Sequence, residues 1–449
     1  MSFERPIFEY AKRQEDMCRA NDQIPADAYE KFHVKRGLRD INGDGVPTGL
    51  TNISDITASR IENGVRVPAD GRLYYRGYNI TDLVNRFSAH RFGYEKLAYL
   101  LMFGQLPDAQ QTEDFLGALT QSRHLPSNFV RDVIMKAPGS DIMNTMTRSI
   151  LTLAAYDPYA QRTDLPNVIR QSLMLISVFP MLAIYAYHAH NHYDNLGSMY
   201  IHRPDPSLST AENTLRMLRP DQQFTDVEAM VLDAAFMLHM EHGGGNNSTF
   251  TTHVVTSAGS DTYATIAAAM SSLKGPRHGG ANLKVIDMMS DIRENVSDLK
   301  DDEELSRYLG RMLDGEVFDH QGLIYGIGHA IYSVSDPRER VFHSFVRKLS
   351  EAKGRREDME LYEKVQAIAP KVISEKRRMY KGVSANVDFY SGFVYEMLGI
   401  PKELFTPIFS IARIAGWSAH RLEELVSGGK IIRPAYPSLM QKKELPEEF

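Results

Sequence analysis

The sequence predicts a mainly α-helical protein with a small antiparallel β hairpin near its N-terminus. From Ile80 almost to the end of the chain, apolar residues recur three and four positions apart, as they do on one face of a helix. Residues 46–78 differ, because short runs of strand-forming residues are separated by the turn-forming pairs Asn63-Gly64 and Asp70-Gly71. A chain of 449 residues is longer than one simple core usually needs, so two domains are expected.

Signals at helix ends place several of the helices. Thr225 and Glu228 form a capping box, and the helix that follows is predicted to end at Gly243. This places His239 and His242 in its last turn.

Other segments follow from their composition. The next helix is predicted to begin near Asp261 and to stop at the Gly275-Pro276 pair, and a third to begin near His278. Residues 191–208, rich in turn formers and aromatic residues, are predicted to form a long ordered loop. Residues 1–46 are polar and are predicted to contain one or two helices.

Composition and charge exclude several classes of protein. A net charge of −6 and a pI near 6.2 argue against a nucleic-acid partner, because such proteins carry a basic face. The single cysteine, Cys18, permits neither an intrachain disulfide nor a cysteine-based zinc site. The N-terminus lacks the layout of a signal peptide, and the most apolar run, residues 173–187, is shorter than a membrane span and contains Pro180. We therefore expect no membrane partner and a cytoplasmic location.

Residues 238–282 hold four of the fifteen histidines and two glycine clusters, each directly after a histidine. Histidine titrates near neutral pH and glycine lets a ligand approach the backbone, so we expect a small-molecule active site here. His278, in Gly-Pro-Arg-His-Gly-Gly, is predicted to lie at a helix start, where the helix dipole favours a neutral imidazole that donates to an oxygen gaining charge. Alternatively, His278 merely caps the helix and its glycines serve a turn.

Two further motifs contain candidate acid–base groups. His329 follows Gly326 and Gly328 in Tyr-Gly-Ile-Gly-His-Ala, and the amides of these glycines would approach a ligand. The alternative is a packed histidine in a strand-like loop. Asp388 lies in Asn-Val-Asp-Phe-Tyr-Ser-Gly, before a helix predicted at 389–398. An N-cap is the ordinary explanation of such an aspartate, but apolar neighbours would desolvate it and strengthen it as a base.

Three arginines are candidate anion ligands. Ser-Asp-Pro-Arg predicts a helix start at Pro337, so Arg338 would point into the positive end of that helix unless it is a solvated surface residue. Arg413 and Arg433 have apolar neighbours, and a buried arginine needs an anionic partner. That partner is either an internal carboxylate, the usual case, or a bound carboxylate ligand.

His239, His242 and His253 raise the question of a metal site. The first two are three residues apart and can face one site. The spacing is not that of the zinc motif HExxH, and no acidic ligand pattern follows, so no metal is predicted. The glycines after His242 favour a histidine that faces a ligand.

Taken together, these motifs resemble the citrate synthase family. The resemblance covers nearly the whole chain, and the matching stretches occur in the family's order: MEHGGGNN, GPRHGGAN, GIGHAIY, SDPR, NVDFYSG and IARIAGW. It implies a homodimer of mainly α-helical subunits, each with a large domain (1–277 and 399–449) and an inserted small domain (278–398). It also implies an acyltransferase that condenses acetyl-CoA with oxaloacetate and releases citrate and CoA, with no cofactor beyond these substrates.

The resemblance implies roles for the residues above. Asp388 would take a proton from the acetyl methyl group, His278 would stabilise the resulting enol or enolate, and His329 would protonate the oxaloacetate carbonyl oxygen. The oxaloacetate carboxylates would be bound by one histidine and three arginines, the last from the partner subunit: His242, Arg338, Arg413 and Arg433.

The resemblance also implies contacts to CoA. The loop with Ile324, Gly326 and Gly328 would hold the adenine through backbone groups. The family often has a basic residue four places beyond the histidine of GHA, where this chain has Ser333. Lys381 is then the best candidate for a contact to the CoA phosphates.

Other functions remain open. A 2-methylcitrate synthase would use propionyl-CoA with the same groups, and one methylene changes binding by only roughly 1–3 kcal/mol, so the residues do not decide between the two. A binding scaffold without activity is opposed by the presence of His278, His329 and Asp388 together. A histidine-metal hydrolase is opposed by the missing acidic ligand pattern.

Overall fold

A computed structural model of the chain describes residues 5–39, 45–63, 65–328, 331–377 and 382–444. Over these residues the chain forms seventeen α-helices and one three-stranded antiparallel sheet, which confirms the predicted mainly α-helical fold with a small β hairpin near the N-terminus. Contacts divide the chain into two units, Gly49–Ile432 and a smaller one made of Met1–Thr48 and Arg433–Phe449. The division at residues 278 and 398 stays a prediction.

The smaller unit contains two helices, α1 (Arg5–Asp22) and α2 (Ala26–Lys31), and a 3-10 turn at Arg36–Leu38. This agrees with the one or two helices predicted for residues 1–46. Cys18 is exposed on α1.

The larger unit begins with the sheet, which consists of β1 (Ser54–Glu62), β2 (Val65–Tyr75) and β3 (Tyr78–Asn79) in that order. The β1–β2 hairpin turns after Asn63, whose φ of 51° is left-handed, as the Asn-Gly pair predicted.

The second predicted turn, Asp70-Gly71, is wrong, because both residues lie inside β2. The register shifts there: Thr57 pairs with Arg72, whereas Ser59 pairs with Pro68. A Cβ at Gly71 would lie 2.2 Å from the Ser335 carbonyl oxygen and 2.5 Å from the Tyr332 ring. The glycine therefore serves close packing of the strand rather than a turn.

Helices form the rest of the larger unit. The first half contains α3 (Ile80–Phe87), α4 (Gly93–Phe103), α5 (Ala109–Ser122), α6 (Ile142–Leu153), α7 (Leu165–Asp194), α8 (Thr210–Leu218), α9 (Asp226–His239) and α10 (Asn247–Ser257). The second half contains α11 (Thr262–Leu273), α12 (Ala281–Asn295), α13 (Asp302–Leu313), α14 (Pro337–Ala352), α15 (Arg356–Arg377), α16 (Asp388–Met397) and α17 (Phe405–Ser427). Shorter helical turns lie at Val130–Ile134, Ala154–Tyr156 and Lys402–Leu404.

Two long apolar helices form the centre of this unit. α17 is buried along most of its length and contacts α4, α7, α9, α10 and α11. α7 is, among the described residues, the one helix long and apolar enough to cross a membrane, and 78% of that apolar window is buried inside the protein. The run 173–187 therefore forms part of a core helix, as its length predicted, and Pro180 lies within that helix.

Several helix ends differ from the prediction. α9 begins at the Thr225–Glu228 capping box as predicted, but it ends at His239, so His242 lies in the following loop. α10 was not predicted, since its polar sequence carries no apolar stripe; its N-cap is Asn246.

Two more boundaries shift by a few residues. α12 begins at Ala281, so His278 lies in the turn before the helix rather than at its start. α7 continues to Asp194, so the loop predicted from residue 191 begins after that residue. The predicted cap at Asp261 and the helix start at Pro337 are confirmed.

Candidate active site

α17 carries Arg413 into the interior of the larger unit, where the residue is 1% exposed. Its Nε donates to the His239 carbonyl oxygen at 2.7 Å, and its guanidinium lies 4.7 Å from the centroid of the Phe409 ring. Nη1 has no hydrogen-bond partner, and no carboxylate forms an ion pair with Arg413 within the described part of the chain. Burial lowers the pKa of Arg413 to about 10, which still leaves the side chain charged at neutral pH. The site therefore contains a buried cation that forms no ion pair with a carboxylate of the described residues, although the charge of Glu241 acts on its pKa.

Arg338 is the second residue of α14 and is also buried, at 4% exposure, so it is not a solvated surface residue. Its Nε and Nη2 donate to the two oxygens of Asp336, at 3.1 and 2.7 Å. Asp336 is also the N-cap and accepts from the Arg338 amide. Burial opposes the charged form of Arg338, but this carboxylate outweighs burial and raises the pKa. Asp336 thus offsets the unfavourable position of a cation at the helix N-terminus.

Asp388 is the first residue of α16. The N-cap position belongs to Val387, and the Asp388 amide donates to Asn386 Oδ1 at 3.0 Å, so the explanation of Asp388 as an N-cap is wrong. Burial raises the pKa of Asp388 to about 6, against the opposing charges of Arg338 and Arg413. A carboxylate of this kind is mostly ionised at neutral pH and is a stronger base than one in water.

His278 lies in the turn before α12. Its Nε2 lies 3.1 Å from Ser248 Oγ, which also accepts from Trp417 Nε1 at 3.1 Å. Burial and, after it, the charge of Arg413 lower the pKa of His278 to about 4. His278 is therefore neutral at neutral pH, as predicted, although burial rather than a helix terminus is the main cause.

The two histidines near the end of α9 have different surroundings. His239 is fully buried against Phe409 and Phe342, and burial with the two nearby arginines lowers its pKa well below the usual range. His242 lies in the loop, with its ring centroid 5.5 Å from that of Tyr332. Both rings are buried in the protein interior.

The glycine-rich loop before His329 is fastened to the segment that leads into α16. Ile327 forms an antiparallel bridge with Ala385, and Asn386 Nδ2 donates to the Gly328 carbonyl oxygen at 2.8 Å. The Gly328 amide donates to the Ser384 carbonyl oxygen, so the prediction that this amide faces a ligand is wrong.

Gly326 packs closely with its surroundings. A Cβ there would lie 2.8 Å from Val285 and 2.9 Å from Phe389 Cα, and its φ is 76°. Ile324 is buried nearby in the chain, at 4% exposure. The glycine at 326 is thus required for packing of the loop against α12 and α16.

The structure does not test the roles of three of the predicted site residues. His329 and Lys381 lie outside the described residues. Arg433 is exposed and belongs to the smaller unit. Their roles stay predictions.

Three of the predicted residues, Asp388, His278 and Arg338, interact electrostatically with Arg413. The charge of Arg413 acts on the pKa of Asp388 and of His278, and the charge of Arg338 acts on the pKa of Arg413. These four side chains come from four separate segments. Tyr332 links His242 to the group, since it contacts the His242 ring and its pKa responds to Arg338.

Comparison with known proteins gives the family. The family model "Citrate synthase, C-terminal domain" matches residues 41–435, which is most of the chain. The citrate synthase of Haloferax volcanii is 35% identical over 370 residues, covering 81% of this chain and 88% of that protein. This chain belongs to the citrate synthase family. It is therefore an acyltransferase, as its motifs predicted.

Members of the citrate synthase family are named for different products. The 2-methylcitrate synthase of Shewanella oneidensis is 29% identical over 389 residues, covering 83% of this chain and 91% of that protein. The structure of the Thermoplasma acidophilum citrate synthase in a ternary complex with carboxymethyl coenzyme A and oxaloacetate has a TM-score of 0.74 and 25% identity. The alignment with the Thermoplasma acidophilum structure covers 92% of this chain and 98% of the chain in that structure. The citrate synthase structure from Pyrobaculum aerophilum has a TM-score of 0.70 and 27% identity, covering 91% and 94%.

Sequence reasoning missed several supporting residues of this citrate synthase family site. Ser248 forms a hydrogen bond with His278, and Asn386 donates to the Gly328 carbonyl oxygen. The His239 carbonyl oxygen accepts a hydrogen bond from Arg413. The signal was present only for Asn386, which lies two residues before Asp388. Backbone carbonyls leave no trace in a sequence.

Proposed function

We propose that this protein is a citrate synthase that condenses acetyl-CoA with oxaloacetate and hydrolyses the citryl thioester to citrate and CoA. The observation that carries the proposal is the electrostatic interaction of a desolvated carboxylate and a neutral imidazole with a buried guanidinium that forms no ion pair among the described residues. Asp388, His278 and Arg413 supply these three groups. A carbon acid reacting with a dicarboxylate requires one of each.

The buried cation selects a substrate with carboxylates. Oxaloacetate brings two negative charges, and Arg413 offers Nη1 to one of them. Arg338 is already neutralised by Asp336, so it would bind through its remaining donors and in a fixed orientation. In this proposal His242 completes the site and Arg433 reaches it from the partner subunit of a cytoplasmic homodimer.

The chemistry follows from the two pKa shifts. Asp388 accepts a proton from the acetyl methyl group, and the electrons of that C–H bond move to the thioester oxygen. Neutral His278 donates a hydrogen bond to this oxygen, which stabilises the developing charge. The enol carbon then attacks the oxaloacetate carbonyl carbon, whose oxygen takes a proton from His329. Water hydrolyses the resulting thioester and releases citrate and the CoA thiol.

CoA is proposed to lie along the loop that contains Ile324 and Gly326. Gly328 contributes through its position in the loop rather than through its amide, which is engaged by Ser384. Lys381 is the proposed contact to the CoA phosphates.

Propionyl-CoA is the second candidate substrate, because relatives named 2-methylcitrate synthase match over similar lengths. A thiol-release assay with oxaloacetate and either acyl-CoA separates the two functions. We expect release with both, a larger kcat/KM for acetyl-CoA, and no loss after EDTA treatment.

Each other result contradicts part of the proposal. A larger kcat/KM for propionyl-CoA would identify a 2-methylcitrate synthase. Release without oxaloacetate would indicate a thioesterase, and loss of turnover in EDTA a metal hydrolase.

A further inference from the structure

Two histidines and three glutamates form a cluster outside the residues assigned to the reaction. His253 lies on α10, His420, Glu423 and Glu424 lie on α17, and Glu241 lies in the loop after α9. His420 and Glu241 are fully buried, and the other three side chains are 10–16% exposed. So many carboxylates in the interior need a compensating cation.

One nitrogen of each imidazole and one oxygen of Glu423 lie close together at the centre of the cluster, and we call these the inner atoms. His253 Nε2 lies 3.1 Å from His420 Nδ1, and Glu423 Oε2 lies 3.8 Å from the same nitrogen. All three atoms lie within 4.8 Å of one another. Glu423 Oε1 accepts from the Asn52 amide, whereas Oε2 is buried and accepts no hydrogen bond among the described residues.

The outer atoms of both imidazoles are bound to carboxylates. His253 Nδ1 lies 2.7 Å from Glu424 Oε2, and His420 Nε2 lies 3.0 Å from Glu241 Oε1. A carboxylate fixes the N–H of a neutral imidazole on the nitrogen that faces it. The two inner nitrogens then present lone pairs to each other, which is unfavourable unless a cation lies between them.

We propose that His253, His420 and Glu423 bind a divalent transition-metal ion of the Zn²⁺ class, and that Glu424 and Glu241 orient the two imidazoles. Ligand atoms around a tetrahedral zinc ion lie roughly 3.3 Å apart at the usual Zn–N distance, close to the 3.1 Å and 3.8 Å found. Imidazoles held by carboxylates on their far nitrogens are the usual arrangement of histidine ligands.

The ion would join α10 to α17 and, through Glu241, to the sheet, because Glu241 Oε1 also accepts from Ser54 Oγ at 2.8 Å. The positive charge of the ion would offset the negative charge of the carboxylates. Without the ion, the cations whose pKa responds to Glu241 are Arg76 and Arg413. The ion has no part in the condensation, so the metal-free protein is expected to keep its turnover.

Calorimetric titration of the full-length, tag-free protein with Zn²⁺, after EDTA treatment and dialysis, tests the proposal. We expect one site per chain and a rise in the thermal midpoint with Zn²⁺, since an ion that binds only the folded state stabilises it. Addition of Co²⁺ instead is expected to give the visible absorption bands of a tetrahedral nitrogen–oxygen site.

Variants identify the ligands. His253→Gln keeps a hydrogen-bonding side chain beside Glu424 and His420 but removes one ligand nitrogen, so the site should be lost. Glu424→Gln, which changes only the orienting group, should weaken binding about 10–100-fold. The exposed His124, whose Nδ1 contacts the Gln121 carbonyl oxygen, provides the control: His124→Gln should bind Zn²⁺ as the wild type does.

Two results would overturn the proposal. One is the absence of a one-per-chain site, which would mean that the imidazoles share a proton instead. The other is unchanged Zn²⁺ binding in His253→Gln. Oxaloacetate-dependent thiol release by each variant reports that it is folded, and it depends on different residues from those of the metal site.

Discussion

Arg413 on α17 is held by the last residue of α9, since its Nε donates to the His239 carbonyl oxygen at 2.7 Å while Nη1 has no partner in the described part of the chain. The contact fixes the direction of the guanidinium without neutralising it. Arg421, two turns further along α17, is also fully buried, yet it donates to three threonine hydroxyls and to the Ser260 carbonyl oxygen. One helix thus carries two buried arginines, and Arg421 has more of its donors in hydrogen bonds to the protein than Arg413 has.

This contrast predicts opposite effects of the same substitution. Arg413→Met removes a buried guanidinium that forms no ion pair among the described residues, and Glu241, whose charge acts on Arg413, keeps its contacts with Ser54 and His420. We therefore expect unchanged or higher thermal stability and a loss of kcat/KM for oxaloacetate of at least 100-fold. Arg421→Met leaves buried hydroxyls and a carbonyl without their donor, so we expect a loss of about 2 kcal/mol or more in unfolding free energy. Thermal unfolding and oxaloacetate kinetics measure both. Equal destabilisation by the two substitutions would make Arg413 a structural residue.

Asp388→Asn should lower turnover about 10²–10⁴-fold, the range of a lost general base. The fold should persist, because Val387 rather than Asp388 occupies the N-cap position of α16. The measurement is kcat with saturating substrates, next to a circular dichroism spectrum. A folded Asp388→Asn variant with wild-type turnover would contradict the assignment of Asp388 as a base.

The pH dependence of stability follows from the raised pKa of Asp388, about 6 in the folded chain against 3.8 in the unfolded one. Because the folded state binds the proton more tightly, the ionised form at higher pH costs stability. Asp388→Asn should therefore be more stable than the wild type near pH 7, and the difference should shrink as the pH falls from 6 towards 4. A difference that grows on acidification would mean that Asp388 has a stabilising partner.

How far the sequence alone predicts this site depends on the kind of contact. The short motif around Asp388 carries its apolar neighbours with it, so its desolvation was predictable. His278 was predicted to be neutral for the wrong reason, because its burial is set by contacts with residues far away in the chain, such as Ser248 on α10. The Asp70-Gly71 pair predicted a turn, whereas the glycine is required by Tyr332, far along the chain. Properties set by neighbours in the sequence could be predicted, whereas those set by contacts between distant residues could not.

Ser248 is predicted to position His278 for catalysis. Ser248 Oγ accepts from Trp417 Nε1, donates to Asn246 Oδ1 at 2.9 Å and lies 3.1 Å from His278 Nε2, so the serine holds the imidazole in a fixed orientation. Ser248→Ala should lower kcat about tenfold, the value of one hydrogen bond, with little change in KM for oxaloacetate.

Ser271 provides the control for this substitution, because its hydroxyl donates to the Ala267 carbonyl oxygen within α11 and to no other described residue. Ser271→Ala should leave both kinetic constants unchanged. A raised KM for oxaloacetate with wild-type kcat in Ser248→Ala would show that the serine shapes the binding site rather than His278.

Gly326 should be the glycine at which an alanine is least tolerated for turnover. Its left-handed φ costs any other residue about 1 kcal/mol or more, and a Cβ would press on Val285 and on the backbone of Phe389, the residue after Asp388.

Gly354 separates the two effects, since its φ of 66° is similar but a Cβ there meets nothing within 4 Å. Gly354→Ala should cost only the backbone strain and leave kcat unchanged. Gly326→Ala should cost roughly 1–3 kcal/mol more, from overpacking, and should also lower kcat as the start of α16 moves. Denaturant unfolding and kcat of both variants provide the test, and equal stability losses with equal kcat would show that the loop does not set the position of Asp388.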